Sequence, residues 1–260
     1  MKCASEKWKE VFVVNELSFK PLKDSCTSDR DTPIFVAKDV LKYPEQVREF
    51  MENGYWWENG GDPDCVRPGK SFDFGPNIDT YFTPLVEQFK KFYNAQEITP
   101  IEFYGNSYNG NMKLYNSGSY LPHVDTFPGD DQNENPLNDV AFNMSLTKSD
   151  KVKTSFYSFN DKKSVCDFTA KDYNDLRNIN DKHEFVRAKQ WKESGENEYE
   201  NYKLEYVADI DYNSMILYPS HYWHNAYLKE DWFIDEDRVT FTGFFETKTT
   251  SSKTKKLGFG

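Results

Sequence analysis

Residues 114–127 read LYNSGSYLPHVDTF, and within them His123 and Asp125 stand two apart. In an extended strand, residues i and i+2 point to the same face. An imidazole and a carboxylate then converge on one point, as two ligands of a divalent metal do. The chain has four histidines, His123, His183, His221 and His224, and the last two lie together in LYPSHYWHNAY. A close His/Asp pair plus one distant His is the sequence form of the 2-His-1-carboxylate facial triad, which leaves coordination positions open on non-haem Fe(II). His-x-Asp alone is a weak signal, and His123 by itself reads equally as a satisfied core histidine. The second histidine segment gives the pair its meaning.

Two histidines compete for the third position. His221 and His224 are offset by three, so a straight strand puts them on opposite faces. Only one of them reaches the metal unless the chain bends. His183 sits in the charged run DKHEF and reads as exposed. Arg238 opens the stretch RVTFTGFF, where it alternates with Thr240 and Thr242 on one face while Val239 and Phe241 take the other. A buried guanidinium needs an anion, because an unpaired buried charge is expensive, and its planar fork matches a carboxylate. Taken alone, Arg238 reads as a partner for Asp235, Glu236 or Asp237. Beside a facial triad, a dicarboxylate cosubstrate explains it better.

The 260 residues suit one large domain with a substantial core, and 17 Tyr and 21 Phe supply aromatic packing. The net charge of −11 argues against a nucleic-acid partner, which wants clustered Lys and Arg. Cys3, Cys26, Cys65 and Cys166 are scattered without CxxC spacing, as reduced thiols of a cytoplasmic protein are. The start MKCASEKWKE has no apolar core of a signal peptide. No run approaches the roughly 18 apolar residues of a membrane span. Oligomeric state is not legible.

Along the chain, residues 11–14 read as a short strand. TPIFVAKDVL, residues 32–41, reads as a buried strand running into a turn, with Asp39 capping the helix that follows. Residues 43–53 place Val47, Phe50 and Met51 at helical spacing, with Pro44 near the start and Gly54 at the stop. Residues 54–77, with Trp56, Trp57 and several Gly and Pro, read as a loop whose tryptophans close the core edge. Tyr81, Leu85, Phe89 and Phe92 mark a second helix. Pro84 predicts that the helix proper starts there, with Thr83 as its cap.

From residue 101 the period becomes two. Residues 111–115, 140–147, 155–159, 212–218 and 239–245 read as short strands joined by polar linkers, hence an antiparallel sheet pair or barrel. Tyr115, Asn143 and the His/Asp set are expected on its interior. Residues 160–205, dense in Asp, Lys, Asn and Glu, read as a solvated excursion with partial helix or as a substrate lid. The expected organisation is a mostly β chain with flanking helices. Residues 1–100 form a strand-and-helix support, 101–247 the core with insertion 160–205, and 248–260 a frayed tail.

LYNSGSYLPHVDTF and LYPSHYWHNAY…RVTFTGFF resemble the Fe(II)- and 2-oxoglutarate-dependent dioxygenases, in particular the prolyl-hydroxylase-like and small phage and bacterial branch. The likeness covers residues 110–246. It implies a double-stranded β-helix, a distorted cupin-like jelly roll. It selects His224 over His221, so that His123, Asp125 and His224 bind iron. It further implies that Arg238 pairs with the distal carboxylate of 2-oxoglutarate, helped by Thr240. Tyr115 takes the place of a cosubstrate-binding tyrosine, and Asn143 reaches the carboxylate near the metal. The implied activity is hydroxylation by O2 of an unactivated C–H bond in a small molecule, amino acid or peptide. Where relatives often carry GGxxxFY, this chain has KVKTSFYSF without the glycines. A non-catalytic cupin-like metal- or ligand-binding module is the rival reading.

Overall fold

The computed structural model describes residues 4–22, 33–53, 56–58, 70–73, 78–109, 122–125, 139–176, 202–229 and 232–248. Helices α1 (Ala4–Val11), α2 (Pro44–Glu52) and α3 (Ile78–Tyr93) lie in the N-terminal part. Between them run β1 (Lys20–Pro21), β2 (Phe35–Ala37), β3 (Trp56–Glu58) and β4 (Lys70–Asp73). The remaining strands are β5 (Glu97–Tyr108), β6 (Asp139–Ser145), β7 (Lys153–Phe159), β8 (Tyr202–Asp209), β9 (Met215–Pro219), β10 (Trp223–Ala226) and β11 (Arg238–Lys248). The large sheet has the order β1-β2-β9-β6-β11-β5-β4-β3, and the small sheet β10-β7-β8. The pairings are antiparallel throughout.

The period of two assigns each face of the large sheet a different task. Val239, Phe241 and Phe245 of β11 join Phe103, Phe142 and Leu217 in a core that Trp8, Phe12, Phe82 and Phe89 of the helical side complete. Phe82 stacks on Phe241 with ring centroids 4.7 Å apart, and Phe89 on Phe245 at 4.4 Å. Gly243 lets β11 and its neighbours close up here, because a Cβ at that position would stand 2.4 Å from a Phe103 ring carbon and 2.5 Å from the Glu102 carbonyl oxygen. The opposite face of the large sheet meets the small one. Tyr108, Ala141, Ile216 and Tyr218 pack there with Phe156, Ala208 and Tyr222.

Several expectations are corrected. The apolar run at residues 11–14 is not a strand: helix α1 reaches Val11, and only Val14 bridges, to Leu41. Trp8 and Phe12, four apart, sit on one helical face and stack at 4.7 Å. Asp39 caps nothing. It adopts a left-handed φ of 54° in the turn before α2, whose N-cap is Tyr43 without a side-chain bond. Helix α3 starts at Ile78 and passes through Pro84. An interior proline forfeits a hydrogen bond and costs about 3 kcal/mol, but Phe82, one of the most deeply buried side chains, anchors the turn ahead of it. Residues 54–77 are not all loop, since β3 and β4 pair and extend the large sheet beyond β5. Of the segment 160–205, residues 202–205 open β8, and Val165 and Leu176 are buried against Trp223. Residues 177–201, with His183, lie outside the described residues, as do Gly54, Tyr115 and the tail beyond Lys248. No helix among the described residues is long and apolar enough to cross a membrane.

Candidate metal centre

Residues 122–125 lie as a short extended piece along β10. His123 and His224 exchange both backbone hydrogen bonds, each at 2.9 Å, and the Asp125 amide donates to the Ser220 carbonyl at 2.9 Å. Directly opposed residues of an antiparallel pair share a face, and so do residues two apart. His123, Asp125 and His224 therefore converge, with one ligand atom of each within 4.8 Å of the others. His224 Nε2 stands 3.4 Å from Asp125 Oδ2, and His123 Nε2 3.9 Å from Asp125 Oδ1. His224 Nδ1 lies 2.9 Å from the Tyr222 carbonyl oxygen. A carbonyl only accepts, so Nδ1 carries a proton and Nε2 is the ring nitrogen that faces the aspartate. The His224 side chain is 6% exposed and that of Asp125 15%, whereas that of His123 is 47% exposed. The cluster is closed on the sheet side and open on the side of His123.

His221 lies in the turn ahead of β10 and goes elsewhere. The Tyr222 amide donates to the Pro219 carbonyl in a turn, and the Val165 amide donates to the His221 carbonyl. His221 Nδ1 then meets Ser164 Oγ at 2.8 Å, while Ser164 Oγ accepts from the Cys166 amide at 3.0 Å. Burial pushes the His221 pKa down to about 4. His221 is thus a neutral, hydrogen-bonded core histidine.

Behind the cluster, the ring of Tyr218 meets that of His224 edge-on with centroids 4.8 Å apart, and Phe156 packs on Tyr218 at 5.1 Å. Burial holds the Tyr218 phenol well above its ordinary pKa, with the charges of Asp125 and a neighbouring Tyr104 adding to the effect and Arg238 opposing it. Its hydroxyl stays protonated.

Arg238 is 4% exposed, and its Nη1 donates to Thr240 Oγ1 at 3.4 Å. Two of the acids preceding it are engaged with other groups. Glu236 pairs with Arg48 at 3.1 Å, and Asp237 accepts from Ser107 Oγ at 3.1 Å and Asn109 Nδ2 at 2.7 Å. Asn143, expected on the interior, is buried there, and its Nδ2 donates to Thr154 Oγ1 at 3.4 Å. Its Oδ1 has no hydrogen-bond partner among the described residues. A buried amide left half-satisfied costs free energy unless a ligand or water completes it. Within KVKTSFYSF, which lacks the glycines of GGxxxFY, Lys153–Phe159 forms β7, paired on both sides and bulged between Phe156 and Tyr157. Tyr218 and the Tyr222 carbonyl were not singled out in the sequence. Their signal was position, since both lie within LYPSHYWH, the former one alternation step inside β9.

No family model matches the chain, and no curated protein matches it by sequence. Solved structures do resemble it. HygX from Streptomyces hygroscopicus with nickel and 2-oxoglutarate bound superposes with a TM-score of 0.51 at 14% identity, covering 89% of this chain and 92% of that one. The same protein with nickel, 2-oxoglutarate and hygromycin B bound gives 0.50 at 12% identity over 89% and 92%. At this identity the likeness speaks for architecture, and the chain has the fold of HygX.

Proposed function

We propose that the chain is an Fe(II)- and 2-oxoglutarate-dependent oxygenase that hydroxylates an unactivated C–H bond. We read its two sheets as a double-stranded β-helix. The observation that carries the reading is the convergence of His123, Asp125 and His224 with Arg238 and Thr240 buried on the same interior. The fold shared with HygX, solved with 2-oxoglutarate and with hygromycin B, supports a small-molecule substrate, with an amino acid or peptide as the wider class.

The residues fit the metal. Ligand bonds of about 2.1 Å at right angles place ligand atoms about 3 Å apart. The His224–Asp125 separation of 3.4 Å is near that value, and the His123–Asp125 separation of 3.9 Å lies within about 1 Å of it. His123, Asp125 and His224 would hold the metal, His224 through Nε2. Arg238 and Thr240 would hold the distal carboxylate of 2-oxoglutarate, and the free capacity of Asn143 would serve the carboxylate near the metal. Tyr115 keeps the cosubstrate role that the resemblance gives it. Bound iron with O2 and 2-oxoglutarate would supply the oxidising chemistry, yielding succinate and CO2. Phe156 and Tyr218 keep water from the sheet side of the site. Substrate would enter past His123.

The test is a titration of Mn(II) and then 2-oxoglutarate into the parent protein and its variants. His123→Ala and His224→Ala should lose metal by at least about a hundredfold, beyond the effect of disturbing a supporting contact, while His221→Ala keeps it. Arg238→Ala should retain metal but lose about 2–5 kcal/mol of 2-oxoglutarate affinity. Metal retained by both ligand variants and lost with His221→Ala would sink the ligand assignment. Binding of both ligands with no succinate release against any candidate pool would favour the binding-module reading instead.

A further inference from the structure

We propose that Arg48, on helix α2, is a positioning residue for Arg238. This rests on the reading of Arg238 as the anchor of the cosubstrate carboxylate. Arg48 reaches from outside the sheets to the point where β11 begins. Its Nη1 donates to the Leu146 carbonyl at 3.0 Å and to Glu236 at 3.1 Å, its Nη2 to the Asp237 carbonyl at 3.5 Å, and its Nε to Glu52 at 2.7 Å. One guanidinium therefore ties the end of β6 to the two residues ahead of Arg238. A planar fork with several fixed donors suits this bridging, and a single ammonium does not reproduce it.

Further contacts complete the mount. The Asp237 carboxylate is held by Ser107 and Asn109 at the end of β5. Thr147 Oγ1 accepts from the Val239 amide at 2.7 Å and lies 3.1 Å from the Val239 carbonyl oxygen and 3.4 Å from that of Asp237. The Leu146 amide donates to the Val239 carbonyl at 3.0 Å. Residues 237 and 239 are thus both pinned, and Arg238 between them has a fixed point of departure for its long side chain. A misplacement of about 1 Å in a binding group is enough to cost large factors in function. Helix α2 therefore belongs to the cosubstrate site through this contact, although none of its side chains is among the groups assigned to the ligands.

The experiment measures Mn(II) affinity, 2-oxoglutarate affinity of the Mn(II)-loaded protein, and backbone hydrogen exchange over residues 236–240. Arg48→Met keeps the side-chain stem and should weaken 2-oxoglutarate binding about tenfold or more, with Mn(II) affinity within twofold of the parent and faster exchange in that segment. Arg48→Lys should recover part of the loss. Glu236→Gln, a surface change that leaves the fold intact, should show the same pattern at a few-fold and carries the test if Arg48→Met does not fold. Unchanged 2-oxoglutarate affinity in Arg48→Met, or in Glu236→Gln where that variant stands in, overturns the proposal and leaves the functional reading standing. A parent that binds no 2-oxoglutarate sinks the functional reading instead. Hydrogen exchange then decides the clamp alone, and unaltered protection of residues 236–240 overturns it.

Discussion

The two faces of strand β11 carry different kinds of information. Val239, Phe241 and Phe245 point into the aromatic layer under the helices. Arg238, Thr240 and Thr242 point into the space between the sheets, where Thr240 has no exposed surface and Arg238 almost none. From Arg238 to Phe241 both faces are buried, so burial does not tell them apart there. Chemistry does: one face is filled by its own hydrocarbon, and the other carries polar groups that a stable core has no use for. A face that accepts the desolvation of polar groups without a packing gain is the place to look for a ligand.

The comparison breaks most visibly if the two faces exchange effects. Phe241→Ala removes a ring stacked on Phe82 and in edge contact with Phe103 and Phe142. It should cost about 3–5 kcal/mol in chemical denaturation, while the fraction that stays folded keeps its Mn(II) affinity. A loss of metal affinity in folded Phe241→Ala protein would mean that the outer face also shapes the site.

The two neighbouring histidines repeat the contrast, and pH reads it. His221 is neutral in the fold with its pKa depressed to about 4 by burial, and an unfolded histidine titrates near 6.5. Its folded value lies below its unfolded one, so the unfolded chain binds the extra proton first. The contribution is intact above about pH 6.5 and is lost as pH falls toward 4, with a total of order 3 kcal/mol. His221→Asn, which keeps a partner for Ser164, should flatten that part of the acid slope in stability measured against pH. An unchanged slope would show that His221 does not carry it.

The smallest expected effect sharpens the outer face alone. Gly243→Ala places a methyl group against Phe103 and the Glu102 backbone, and overpacking of this kind costs about 1–3 kcal/mol. Thermal denaturation should show the loss without a change in 2-oxoglutarate affinity.

Much of the β core was legible because its strands obey a clean period of two. Residues 139–145 and 238–243 show it in their composition. The convergence of His123 and Asp125 followed from the same rule. The choice between His221 and His224 did not, since it depends on the turn after Pro219, which no period encodes. Helix α1 was hidden because VFVV straddles its end and reads as a strand, whereas the informative spacing is that of Trp8 and Phe12. The pairing of β3 with β4 was hidden by the Gly and Pro content of the segment around them. The role of Glu236 could not be read locally either. Its partner Arg48 lies 188 positions away, and only the folded chain brings them together.

The turn after Pro219 and the strand that follows it set what a change in chain length would do to the site. Strand β10 is gripped on both sides, by His123 at His224 and by β7 from Trp223 to Ala226. Adding or removing one residue between 223 and the paired histidine would reverse which side chains look inward, because register slips by whole faces. The same change at 220 or 221 would displace the Ser220 and His221 carbonyls, which accept from the Asp125 and Val165 amides. The site is thus indexed from the bend as well as from β10: its address in the chain counts every residue from Ser220, which holds Asp125, to His224, which holds His123.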